Sequence, residues 1–115
     1  MKFENVAWSE EARHGLGETL ADDEPIIKSM IESGKSQLYK VNDGESWFCF
    51  TGDENELVLQ CMKGKNGVAI CDVIFTWAKQ QGFKTIRFHT NRKGMPRLFK
   101  KFNPIEVETV YRITV

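Results

Sequence analysis

Residues 63–69 read Lys63-Gly64-Lys65-Asn66-Gly67-Val68-Ala69. A basic, glycine-rich turn that runs into a helical repeat can hold an anion. The first N–H groups of a helix have no intrahelical acceptor and carry about half a positive charge. Glycine lets a phosphate approach them closely, and Lys63 and Lys65 add formal charge. The same stretch also reads as a plain solvated turn in which Gly67 meets a demanding backbone angle, and both readings stay open at this point. Other chemistry is less supported. His14 and His89 lie far apart with no metal-ligand spacing, so no metal is expected, although His89 at a strand end is a conceivable general base. Cys49, Cys61 and Cys71 are an odd set without C-x-x-C spacing; they read as small buried hydrophobes rather than a disulfide framework, a zinc site or a nucleophile.

Several elements must position that turn. Ser9-Glu10-Glu11 offers an N-cap and acidic first turn for a short helix, which Gly15 and Gly17 weaken. Asp22-Asp23-Glu24-Pro25 opens a second helix, with a capping Asp and Pro in the first turn, that Gly34 ends. Strands follow at 37–41, 46–51 and 56–62, joined by Asn42-Asp43-Gly44-Glu45 and Gly52-Asp53-Glu54-Asn55, and such short turns make them antiparallel. Trp47, Phe48 and Phe50 read as core. From Val68, the residues Val68, Ala69, Cys71, Val73, Ile74, Trp77 and Ala78 recur at spacings of three and four, a helix ended by Gln80-Gln81-Gly82. Residues 84–89 form a strand parallel to 56–62, completing a β-α-β unit. A short basic helix at 95–102 and one closing strand from 105 to 115 complete an α+β fold with a mixed sheet.

The chain has 115 residues, 41% of them hydrophobic, which suits a single domain over 1–115 with residues 1–20 poorly determined. It lacks an apolar run of about 18–20 residues and an apolar N-terminal signal, so a cytoplasmic protein that does not engage membranes is expected. The net charge of zero conceals an asymmetry. Residues 1–59 carry 5 Lys and Arg against 13 Asp and Glu, and residues 60–115 carry 11 against 3. The basic half would suit an anionic ligand, or the two halves would attract each other.

The order of elements and the turn at 64–69 resemble the GNAT superfamily of acyl-CoA N-acyltransferases over residues 24–115, most closely from Glu56 to Phe102. The family's cofactor signature is Gln/Arg-x-x-Gly-x-Gly/Ala. Gly67 and Ala69 match it, while Gly64 stands at the Gln/Arg position. Asn91 after the following strand also fits the family pattern, and Phe99 falls where the family carries Tyr. The resemblance implies acetyl-CoA or another acyl-CoA as cofactor. Lys63, Lys65, Asn66, Gly67, Val68, Ala69, Asn91 and Phe99 would lie around it. Its pantetheine arm would pair with the backbone of 57–62, including Leu59 and Cys61. The amine must lose a proton and the leaving thiolate must gain one. Glu56 is the best-placed carboxylate for the first task. With Phe99 in the place of Tyr, Tyr111 would substitute for the second.

Three functions follow. The first is an N-acyltransferase that moves an acetyl or acyl group from acyl-CoA to an amine. The second is a catalytically inactive GNAT-like adaptor, of phage or mobile-element type, that binds a protein partner. The third and weakest is nucleic-acid binding through Lys79, Lys84, Arg92, Lys93, Arg97, Lys100 and Lys101, with steep salt dependence. The terminal strand is an edge through which a homodimer would form.

Overall fold

The computed structural model describes residues 1–89, 105–107 and 110–114. The chain divides into two compact units, Met1–Thr51 with Gln60–Lys65, and Gly52–Leu59 with Asn66–Val115.

The first unit begins with strand β1 (Phe3–Asn5) and helix α1 (Glu10–Leu16). A kinked 3₁₀ segment (Gly17–Asp23) and helix α2 (Glu24–Glu32) follow. Strand β2 (Ser36–Val41), strand β3 (Ser46–Asp53) and the later part of β4 (Glu56–Gly64) complete it. Its strands follow the order β1-β2-β3-β4. β1 and β2 are antiparallel (Phe3↔Val41), as are β2 and β3 (Ser36↔Thr51 through Val41↔Ser46). β1 is not foreseen by the sequence, because three residues are too few to show an alternation.

Ser9 caps α1 as expected: its Oγ accepts from Ala12 N at 3.1 Å. Ser9→Ala should therefore lower stability by about 1 kcal/mol in denaturant titration; an unchanged midpoint would show the cap to be idle. Gly15 does more than weaken this helix. A Cβ there would overlap the Trp47 indole, so the bare backbone is what lets α1 lie on that ring. Asp23 does not cap α2, contrary to expectation. It arrives from the 3₁₀ segment with φ −93° and ψ 4°, not in the extended conformation that turns an Asp side chain back toward the helix. Ala12, Leu16, Leu20, Ile27, Ile31, Leu38, Trp47, Cys49 and Cys61 form the core, with Val6 and Trp8 against it. Tyr39 stacks on Phe48, with ring centroids 5.2 Å apart.

The second unit contains the first part of β4, helix α3 (Gly67–Gln80) and strands β5 (Thr85–His89), β6 (Ile105–Val107) and β7 (Val110–Thr114), with strand order β4-β5-β7-β6. β4 and β5 are parallel, as the β-α-β reading requires, with register Glu56↔Thr85 through Leu59↔Phe88. The closing segment is two strands, not the single one expected. β6 pairs antiparallel with β7 (Val107↔Val110), and β7 pairs with β5. In the sequence no Gly, Pro, Asn or Asp stands between Val107 and Val110 to separate the two strands. The inward face of α3 is Ile70, Cys71, Ile74, Phe75 and Ala78, whereas Val73 and Trp77 are exposed. The expected α+β architecture is present, with antiparallel strands, a parallel β-α-β unit and helices. The helix expected at 95–102 lies outside the described residues.

Candidate functional site

The turn from β4 into α3 is built around a left-handed residue, and that residue is not Gly67. Asn66 has φ 61° and ψ 34°, while Gly67 already belongs to the helix. Ile70 N donates the first i→i−4 bond to Asn66 O at 2.9 Å. The N–H groups of Gly67, Val68 and Ala69 thus precede the ladder, at the positive end of a 14-residue helix with no acidic residue in its first turn. Asn66 and Ala69 are exposed, and Gly67 and Val68 are half-buried.

The neighbouring residues depart from the expected anion site. Lys63 Nζ lies 2.6 Å from Glu18 Oε2 and so is engaged in its own unit. Lys65 is exposed, and its carbonyl accepts from Ser46 Oγ at 2.6 Å. Gly64 has φ 122°, and a Cβ there would overlap Ser46 Oγ and fall 2.5 Å from Glu45 O and Ser46 Cα. There is no room for the Gln or Arg of the family signature at this position, which accounts for that departure.

Glu56 opens β4 with its side chain only 13% exposed. Its Oε1 accepts from Thr85 Oγ1 at 3.0 Å, and its Oε2 lies 3.4 Å from Arg87 Nη1. Arg87 Nη2 lies 3.5 Å from Asp53 Oδ2. The parallel register places these groups together, because Glu56 faces Thr85 directly and Val58 faces Arg87. Arg87 Nε is buried without a hydrogen-bond partner, an arrangement that costs about 1–3 kcal/mol. Sequence alone does not single out Thr85, Arg87 and Asp53. The polar alternation Thr85-x-Arg87 against Ile86-x-Phe88 was visible, but the register that aims it at Glu56 was not.

Of the remaining candidates, Leu59 and Cys61 bury their side chains, leaving only backbone for a ligand. Cys61 Sγ donates to Thr19 O at 3.3 Å. Its hydrogen bond with Cys49, together with burial, pushes the Cys49 thiol well up, so Cys49 is a core residue and not a nucleophile. His14 is exposed on α1. His89 pairs with Val110, and Tyr111 lies opposite Phe88 and Glu106. Asn91 and Phe99 lie outside the described residues. Among the described residues no cluster of three or more His, Cys, Asp or Glu could hold a metal ion, and no helix is long and apolar enough to cross a membrane.

No protein-family model matches the chain, and no curated protein matches it in sequence. Solved structures do match. A Bacillus subtilis acetyltransferase in complex with CoA superposes with TM-score 0.71 at 14% identity, covering 99% of this chain and 98% of that one. A Staphylococcus aureus acetyltransferase of the GNAT family gives 0.67 at 13%, covering 98% and 99%. Tetrahymena GCN5 gives 0.73 at 9%, covering 100% and 96%. At these identities the likeness is one of fold.

Proposed function

We propose, on the premise that this chain has the fold of the GNAT-family acetyltransferases, that it binds an acyl-CoA and transfers the acyl group to an amine. The observation that carries this is the handover from β4 to α3. The parallel register with β5 ends at Leu59↔Phe88, β4 runs on to Gly64, and α3 then begins with three N–H groups ahead of its ladder. The N–H groups of Gly67, Val68 and Ala69 fit a pyrophosphate: they are donors, no carboxylate competes in the first turn, and their side chains are small. The backbone near Leu59 would take the pantetheine arm. Acyl-CoA supplies an activated thioester, and the amine nitrogen forms the new C–N bond as the C–S bond breaks. Glu56 is the proposed acceptor of the amine proton. It lies three residues, about 10 Å of strand, before Leu59, so it would act through ordered water. Tyr111 is the proposed donor to the thiolate.

Thermal denaturation with about 1 mM acetyl-CoA tests the binding step. Ligand at about 100 times Kd stabilises the folded state by about 2.7 kcal/mol, a shift of several degrees for a domain of this size. Gly67→Asp should abolish that shift while leaving the unliganded melting temperature unchanged or slightly raised. A carboxylate at a helix N-terminus suits the helix dipole but repels phosphate. An undiminished shift in this variant would remove the site from α3. Release of free thiol with primary amines then tests transfer. The inactive adaptor is the second reading, favoured by the filled space at Gly64 and the pairing of Lys63 with Glu18; it predicts no shift with acetyl-CoA.

A further inference from the structure

We infer that Arg87 and Thr85 are positioning residues for Glu56, with Asp53 as the second anchor of the arginine. This rests on the acyl-transfer reading above. A carboxylate at the start of a strand is ordinarily free to rotate, yet Glu56 is held at both oxygens. Thr85 donates to Oε1 at 3.0 Å and Arg87 stands 3.4 Å from Oε2. Arg87 is itself held from the other side by Asp53 at 3.5 Å. All four residues belong to one compact unit. The 3.4 Å separation is long for a charge-assisted hydrogen bond, so the arginine orients the carboxylate without closing tightly on it.

Stability alone is a poor account of Arg87. Its Nε is buried and unmatched, a defect that a neutral residue facing Val58 would not create. What the arginine does supply is a fixed positive charge beside Glu56. Arg87 pairs with that carboxylate through Nη1 and with Asp53 through Nη2. That pairing and the Thr85 hydrogen bond keep the carboxylate pointed in one direction, as a group that receives a proton through ordered water requires.

Four chains decide the matter: the unaltered protein, Arg87→Gln, Arg87→Lys and Asp53→Asn. Each is followed by thiol release from acetyl-CoA with n-butylamine as acceptor, and by carbon-13 NMR of the Glu56 carboxyl across pH. Arg87→Gln is expected to lower kcat about 10- to 100-fold with KM for acetyl-CoA within about twofold. The midpoint of the Glu56 signal and the acid limb of kcat/KM should both move to higher pH, because loss of a neighbouring cation favours the protonated carboxyl. Arg87→Lys keeps the charge and should recover most of the rate and of the midpoint. Asp53→Asn, at a side chain 59% exposed, should fold normally and lower kcat severalfold. The inference is overturned if folded Arg87→Gln keeps its rate within about twofold with an unmoved midpoint, or if lysine does no better than glutamine. If the unaltered chain shows neither thiol release nor a thermal shift with acetyl-CoA, acyl transfer is what fails. The carboxyl titration then still decides whether Arg87 governs Glu56. If Arg87→Gln does not fold, Arg87→Lys and Asp53→Asn carry the same comparison.

Discussion

Replacing Gly64 by glutamine should cost the chain a large share of its stability, although it restores the residue type that the GNAT signature carries there. Two effects add. Gly64 has φ 122°, a region in which a side-chain-bearing residue is strained by about 1–3 kcal/mol. Its missing Cβ also leaves the space taken by Ser46 Oγ and Cα and by Glu45 O, and overpacking of this kind costs about 1–3 kcal/mol more. Ser46 is buried and bonded to Lys65 O at 2.6 Å, so it has little freedom to yield. Against the roughly 5–15 kcal/mol that holds a domain of this size folded, Gly64→Gln should lower the urea midpoint by molar amounts. Gly64→Ala should show most of the same loss. A glutamine variant within about 0.5 kcal/mol of the parent would mean that β3 and β4 part easily at this point.

Glu56→Gln carries the largest expected effect on rate. Glutamine is nearly isosteric and retains an oxygen that can accept from Thr85, so the fold should survive with a loss of about 1 kcal/mol. It cannot take up, through ordered water, the proton that the attacking amine must lose. With an amine acceptor, kcat should fall about 10²- to 10⁴-fold, while the thermal shift produced by acetyl-CoA stays as it was. Turnover above about a tenth of the parent rate would assign deprotonation to bulk solvent instead.

Legibility followed the physical range of each signal. α3 and β5 were readable because a helical repeat and a short alternation are local patterns, and their parallel pairing followed from the crossover between them. The turn at 63–69 is legible as a turn, but the positive φ that the plain-turn reading places at Gly67 falls on Asn66 and Gly64. Several glycines in one stretch say that positive φ occurs, not where. Gly15 looked like a helix defect because its partner, Trp47, is 32 residues away. Lys63 read as a free cation for the same reason, since Glu18 meets it only once the first unit has folded. The largest omission, Arg87, depended on strand register. Glu56 and Arg87 are 31 positions apart, and a slip of one residue would have turned Arg87 to the opposite face of the sheet.

The placement of the indoles gives the protein a built-in optical gauge. Trp47 is buried in the core of the first unit and Trp8 is packed against that core. Trp77 is 38% exposed and sits 6.3 Å from Phe83 in the second unit. Emission from Trp47 should lie to the blue and shift far to the red on unfolding, whereas that of Trp77 begins nearer the red and moves little. Single-tryptophan variants would therefore report each half of the chain separately. Coincident melting curves from the two would show that the halves unfold as one cooperative body.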